Sequence, residues 1–558
     1  MSKWISEEIG SSVKKHWLLI SLGSILLSLM PAQQSFAGGE DFEGTKAPAD
    51  NGYVVFEANP NFMHGFSQPS LLGKELASDG SHKSLAICKS MDDPACDKAN
   101  YFFAQSLFDF CDTAVESNCI DSIYAEKQDG TKLDVGIVSK FPDKRPQDYV
   151  GDSKLNLPSG GQTTLVSIPG ASHSGGDRYL ALVNPSGWLD RRKDQNNSKF
   201  TFKLETALYA VSVKTGNFQV GSTSTKLSEY PDNYLRSSVY GGESGCLING
   251  ATQCAQAVEM PKDIRFGIKL RLSYEIENWF GGRLATPNIS VSSSVKNQNL
   301  IDISAFPVNV PLVSRTIDIR NLPQSIIDFD ARQYKKVPGN SGKSGLEKYR
   351  DNPVGNFVIR TSLNMSQYYM DQFTQLLEIF DDKATALPTM WNYSSITSES
   401  QWNDCLKNSK SLAGFVLSNA TQYIDGPPTY NAKDNTLDYK VAAPHFTPEG
   451  EVFKGSYDLV MSSKVARCFY NFTNAPIGAS VSVQTDKGVQ NVATTVVNEK
   501  NGLLYITAKN FTFSSPTLKI KLTQKRNQKY TITCKKNGLT KSVTGTSPKC
   551  PSGYKKAA

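Results

Sequence analysis

The sequence predicts a mainly β, multi-domain protein with minor α content, built of antiparallel β-sandwich-like modules and ending in a disulfide-closed hairpin. Three observations predict it. Apolar and polar residues alternate strictly over 264–276, eight of the ten cysteines fall in locally spaced pairs, and an Asn-Gly hairpin signal lies near the C-terminus.

The N-terminus comes first. Lys3, Lys14, Lys15 and His16 precede an apolar run from Trp17 to Met30, which Pro31 ends, and Ser35-Phe36-Ala37 follows with small residues. This is the plan of a secretory signal peptide over 1–37. A bilayer-spanning helix needs about 20 apolar residues, and this run falls short of that. No cysteine follows the expected cut closely, the first being Cys88, so an N-terminal lipid is not expected, and the sequence closes without a hydrophobic tail.

Removing 1–37 leaves 521 of the 558 residues, room for several domains at about 100–200 residues each. With 20% charged and 39% apolar residues the chain has a globular composition. The segments expected are a loop-rich, disulfide-containing region at 38–185, an antiparallel β domain at 186–334, a linker or long loop at 335–352, and a mixed helix and strand region at 353–454. An immunoglobulin-like sandwich at 455–524 and a basic disulfide hairpin at 525–558 complete the chain.

Each element has its pattern. Phe200, Phe202 and Leu204 alternate with polar neighbours, and Ile264, Phe266, Ile268, Leu270, Leu272, Tyr274 and Ile276 form one face opposite Arg265, Lys269, Arg271 and Glu275. Met365, Tyr369, Phe373, Leu376, Leu377 and Phe380 share a helical face, read as core packing. Ser398-Glu399-Ser400-Gln401 is a capping-box pattern ahead of a second, short helix. Thr485-Asp486-Lys487-Gly488 and Asn498-Glu499-Lys500-Asn501-Gly502 read as hairpin turns.

The cysteine spacing favours Cys88/Cys96, Cys111/Cys119, Cys246/Cys254 and Cys534/Cys550 as local disulfides, with Cys405 and Cys468 as a longer pair. Sequence alone leaves the connectivity open, since Cys88, Cys96, Cys111 and Cys119 can exchange partners in this scheme. There is no Cys-x-x-Cys and no histidine cluster beside the cysteines, so no metal and no cofactor is expected.

Charge is unevenly spread. Glu499 is the last acidic residue, and thirteen Lys and Arg residues follow it. Taking these thirteen from the net +7 leaves the first 499 residues at −6. The basic end has its own design: Tyr530 to Lys536 and Leu539 to Thr544 flank Asn537-Gly538, and Cys534 can close on Cys550. Lys525, Arg526, Lys529, Lys535, Lys536, Lys541, Lys549, Lys555 and Lys556 are the residues expected to hold an anionic cell-envelope polymer or membrane surface.

The stretches Ile532-Thr533-Cys534-Lys535-Lys536, Thr540-Lys541-Ser542-Val543-Thr544-Gly545 and Pro548-Lys549-Cys550-Pro551-Ser552-Gly553-Tyr554-Lys555-Lys556 resemble a lysine-rich terminal segment of secreted proteins from aquatic actinobacteria. From Trp402 to Lys500 the chain is more loosely similar to uncharacterised exported proteins of the same bacteria. The resemblance implies export and a surface role. It brings no activity and no functional residues.

Catalytic patterns are incomplete. Gly339-Asn340-Ser341-Gly342-Lys343-Ser344 lacks the phosphate-loop glycine where Val337 stands, and Gly170-Ala171-Ser172-His173-Ser174 misses the nucleophile elbow at its last position. Neither a His-Glu-x-x-His zinc motif nor a twelve-residue calcium loop is present. Glu275, Glu277 and Trp279 form the one constellation to follow. If the strand continues, all three fall on its outer face, about 7 Å apart in succession, where they could take a sugar or cation. The plainer reading is a solvated strand face ending in a Trp-Phe-Gly-Gly turn.

Two function classes follow. One is an exported surface or extracellular binding or structural protein, retained by the basic end and with a glycan among its candidate ligands. The other is an extracellular polysaccharide hydrolase with carboxylates on separate loops. Flat aromatic surfaces would favour the first, and a cleft with facing carboxylates the second. Nucleic acid is not an expected partner, because the basic end has no recognised fold for it.

Overall fold

A computed structural model describes residues 52–58, 69–141, 148–192, 199–218, 246–250, 252–273, 278–293, 298–336, 340–361, 367–377, 379–396, 404–407, 412–424, 426–473, 475–485, 488–491, 494–513, 517–524, 530–545 and 548–557. The predicted signal peptide therefore lies outside the described residues, as do Tyr274, Ile276, Met365 and the Ser398 to Gln401 cap pattern. The fold is mainly β, with five α-helices among the described residues, and its sheets are mostly antiparallel.

The architecture is organised by one 15-stranded sheet. Its middle comprises Thr201–Thr215, Asn392–Ile396, Asn278–Arg283, Leu412–Ser418, Lys454–Ser462 and Leu503–Thr512, in that spatial order. Arg178–Asp190, Tyr101–Gln105, Ser70–Leu76 and His82–Cys88 extend it on one side. Only Asn278–Arg283 and Leu412–Ser418 run parallel within this sheet as described.

Both faces of that middle are covered. A five-stranded sheet containing Ile264–Leu272, Asn299–Phe306 and Cys119–Lys127 packs Phe266, Ile268, Leu270, Ile301 and Ile303 against Tyr179, Leu204, Phe280, Phe415 and Val460. On the opposite side a six-stranded sheet containing Thr436–Ala442, Ile477–Thr485 and Thr517–Gln524 packs Tyr439, Val481, Val483, Leu518 and Ile520 against Trp279, Val416, Leu459 and Ile506. The centre is thus three β-layers thick. Strands buried on both faces read as continuous apolar runs, as Leu412 to Ser418 does.

Sequence segments and layers do not coincide. Residues 455–524 supply strands to two facing sheets, as a sandwich requires, yet both sheets also take strands from 392–442. The 38–185 region, expected to be loop-rich, carries short strands from Tyr53–Ala58 to Thr163–Ser167. Their brevity and the Gly and Asp turns between them hide the pattern.

A third body of core lies under Tyr53–Ala58, which pairs antiparallel with Val313–Asp318 and parallel with Phe357–Thr361. Helices Gln324–Lys336, Gly345–Asp351 and Gln367–Leu376 pack there. The last realises part of the predicted helix: it ends at Leu376, with Met370, Phe373 and Leu376 buried on it and Leu377 and Phe380 buried in the turn beyond. The 335–352 segment, expected as a linker or long loop, is not one throughout, because Gly345–Asp351 is helical. Ser344 and Glu347 form a full capping box, and Leu346 and Tyr349 are buried beneath the polar composition.

All five cysteine pairs are disulfides: Cys88–Cys96, Cys111–Cys119, Cys246–Cys254, Cys405–Cys468 and Cys534–Cys550. No cysteine is left free. Such a set belongs to an extracellular or otherwise oxidising environment. No helix among the described residues is long and apolar enough to cross a membrane.

Candidate functional site

The C-terminal module is a three-stranded sheet with Tyr530–Lys536 at its centre, Leu539–Gly545 on one side and Lys555–Lys556 on the other. Asn537 and Gly538 take φ of 47° and 82°, the positive pair that a two-residue type I′ turn demands. Register pairs Lys536 with Leu539, Cys534 with Lys541, and Thr531 with Thr544. On the other edge Cys534 faces Lys556 and Lys535 faces Lys555.

Lys535, Lys536, Lys541, Lys549, Lys555 and Lys556 are all exposed. Lys525, Arg526 and Lys529 lie outside the described residues. The six described lysines crowd a sheet that has no carboxylate side chain of its own. Like charges directly opposite on neighbouring strands are destabilising, so Lys535 beside Lys555 costs stability that an anionic ligand would recover.

The two faces of this sheet differ. Ile532, Cys534 and Val543 share one face, and the Cys534–Cys550 bond draws the 548–554 segment over it, with Tyr554 coming within 6.0 Å of the Lys536 ammonium. Thr531, Thr533, Lys535, Thr540, Ser542, Thr544 and Lys555 form the other face, and all seven are exposed. The hydroxyls of Thr531 and Thr544 stand 2.8 Å apart in a hydrogen bond across the strands.

The Glu275, Glu277 and Trp279 constellation is not a ligand face. Trp279 is 1% exposed and belongs to the core between the long and six-stranded sheets. Its neighbour Phe280 enters the opposite core, so this strand has no outer face. Glu275 and Glu277 lie outside the described residues.

Two sequence motifs also resolve as structure. His173 contacts the Arg178 carbonyl through Nε2 at 2.9 Å, while Nδ1 accepts from the Gly175 N–H at 3.1 Å. Burial pushes its pKa down. Both ring nitrogens are committed to backbone, and the Ser172 hydroxyl donates to the Pro169 carbonyl, so no Ser-His dyad forms. In the phosphate-loop look-alike, Lys343 is ion-paired with Asp351 and Ser344 caps the following helix. Among the described residues no group of three or more His, Cys, Asp or Glu side chains could hold a metal.

One surface feature carries no local sequence signal. Phe103 and Trp188 stand directly opposite on neighbouring strands, with Tyr101 opposite Asp190 one step along the same face. These four side chains are half-buried, and Arg192 grips Asp190 through Nε at 3.0 Å and Nη2 at 2.9 Å. Phe102, Ala104 and Leu189 point the other way into a core. Tyr101 to Gln105 is too uniformly apolar for alternation to show which rings face out; only the register reveals the row.

No family model, no curated protein and no solved structure matches this chain.

Proposed function

We propose that this is an exported binding protein of the cell surface, retained at an anionic envelope by its C-terminal basic sheet. One observation carries the reading: six exposed lysines on a disulfide-closed sheet that contains no acidic residue. Each basic residue near an anionic surface contributes about 1 kcal/mol, so several together can hold a chain in place. The signal-peptide pattern at 1–37, the five disulfides and the resemblance of the terminal segment to those of secreted proteins support export.

The half-buried row of Tyr101, Phe103 and Trp188, flanked by the Asp190–Arg192 pair, supports binding as the body's task and suits a glycan, whose apolar ring faces stack on aromatics. The alternative, a polysaccharide hydrolase with carboxylates on separate loops, draws no support from Trp279, whose ring is in the core. Salt supplies the test. At about 1 M salt the Debye length falls to about 3 Å, so a high-salt wash of cells should release the full chain. A chain ending at Gln524 should appear in the medium unwashed. Equal retention of the two chains would place the contact elsewhere.

A further inference from the structure

On the face of the terminal sheet that holds Cys534, the tail and disulfide lie over Ile532, Cys534 and Val543 and leave Lys536, Leu539, Lys541 and Lys556 exposed, whereas every side chain of the other face is open. We propose that this face, formed by Thr531, Thr533, Lys535, Thr540, Ser542, Thr544 and Lys555, is a binding site for a hydroxyl-rich phosphate polymer, a chain carrying phosphodiester groups among free hydroxyls. The inference rests on the basic sheet being the retention module and names its ligand class.

The register arranges these side chains as three rows. Thr544 lies beside Thr531, Ser542 beside Thr533, and Thr540, Lys535 and Lys555 complete the third row across all three strands. Neighbouring strands are about 4.8 Å apart, and alternate residues about 6.8 Å apart along each strand. Two ammonium groups therefore share one strand spacing at one end of a grid of hydroxyls. Ammonium groups attract phosphate as point charges, and hydroxyls both donate to and accept from a polyol. No apolar side chain stands on this face, so it offers nothing to the acyl region of a lipid surface. The apolar residues, Ile532, Val543 and the exposed Leu539, all belong to the Cys534 face.

Lys541 and Lys556 provide an internal control. Both are opposite Cys534, one residue along from Lys535, and so carry equal charge at nearly the same place on the opposite face.

The experiment measures binding of the full chain to poly(glycerol phosphate), inorganic polyphosphate and phosphatidylglycerol vesicles. Lys535→Gln with Lys555→Gln should weaken poly(glycerol phosphate) binding about tenfold, the change that about 1.4 kcal/mol produces. Lys541→Gln with Lys556→Gln should weaken it about twofold, as expected of more distant charge. Thr533→Ala with Ser542→Ala should weaken poly(glycerol phosphate) and leave polyphosphate unchanged. Non-reducing peptide mapping that finds Cys534 joined to Cys550 verifies that each variant is folded. Equal losses from the two lysine pairs, an inert hydroxyl pair, or vesicles bound as tightly as the polymer would each overturn the site. If the chain ending at Gln524 binds the polymer as well as the full chain does, the retention reading fails too; if it loses binding while the faces prove equivalent, only this inference fails.

Discussion

Trp279 lies against Gly414, its register partner on the adjacent parallel strand. A Cβ at 414 would stand 2.6 Å from Cζ3 of the indole, and the Val460 carbonyl closes the same space. The absent side chain is what lets the largest ring of the middle layer lie down between two sheets. Gly414→Ala should therefore destabilise by about 1–3 kcal/mol through overpacking, and Trp279→Ala by about 3–5 kcal/mol through the cavity left. Urea unfolding monitored by circular dichroism measures both. An unchanged midpoint for Gly414→Ala would mean the ring has room to move.

Arg283 is a buried cation held by two backbone carbonyls and a tyrosine ring. Its Nη1 donates to the Ser418 carbonyl at 2.9 Å and Nη2 to the Thr421 carbonyl at 3.0 Å, with the Tyr423 ring centroid 4.3 Å from the guanidinium carbon. Burial brings its pKa down to about 10. The planar fork ties the 418–421 turn to the end of Asn278–Arg283. Arg283→Lys should destabilise more than Arg283→Met: lysine keeps the penalty of burying charge and loses the fork. Methionine leaves two carbonyls unpaired at roughly 1–3 kcal/mol each but removes the charge. Thermal melts of the two variants rank them, and a more stable lysine variant would contradict this account.

Asp458 should make stability pH-dependent in the direction opposite to most carboxylates. It is 3% exposed, the Thr507 hydroxyl donates to Oδ1, and the Thr286 N–H is 3.4 Å from Oδ2. Burial raises its pKa, and Thr507, Lys509 and Thr286 offset this only partly. The folded state thus binds this proton more tightly than the unfolded chain does. Its contribution is fully present below the ordinary carboxylate range and is lost as pH rises through the raised value. Asp458→Asn should be more stable than the parent at neutral pH, with the difference vanishing toward pH 3. Urea unfolding across that range checks it, and a gain that persists unchanged at pH 3 would rule out titration of Asp458.

What could be read from the sequence was what local chemistry decides. Ile264 to Leu272 alternates because one face meets a core and the other holds Arg265, Lys269 and Arg271, and the structure keeps that sorting. Asn537-Gly538 turns because those residues tolerate positive φ, and cysteines eight residues apart pair because the chain folds back between them, as the turn Pro94–Cys96 does for Cys88 and Cys96. What could not be read was decided by distant partners. Trp279 looks like the end of an amphipathic strand until Leu437, Tyr439 and Ile520 arrive to cover it. Phe103 and Trp188 are 85 positions apart, and nothing local tells either that the other stands opposite. The helix Gly345–Asp351 hides among Lys, Gly and Ser because only Leu346 and Tyr349 are buried.

The terminal sheet should depend on its disulfide for folding, and the body should not notice its loss. Its apolar content is small: Ile532 and Val543 are half-buried, Leu539 is 65% exposed, and the buried Cys534 supplies the centre. A module of this size has too little core to hold three strands unaided. Closing the 15 residues between Cys534 and Cys550 contributes roughly 3 kcal/mol in the chain-entropy account, comparable with everything else such a sheet can muster. The Lys535–Lys555 juxtaposition works against it as well. Cys534→Ser with Cys550→Ser should therefore open the module. Trypsin would then cut rapidly after Lys535, Lys536 and Lys541, positions that β-pairing shields in the parent. The main melting transition should stay in place, because among the described residues the three strands pair only with one another. Retention on cells should fall with the module, since scattered lysines on an open chain no longer present one face. A serine variant that resists trypsin as well as the parent would show that strand pairing alone suffices, and the role of the disulfide would then have to be sought after folding.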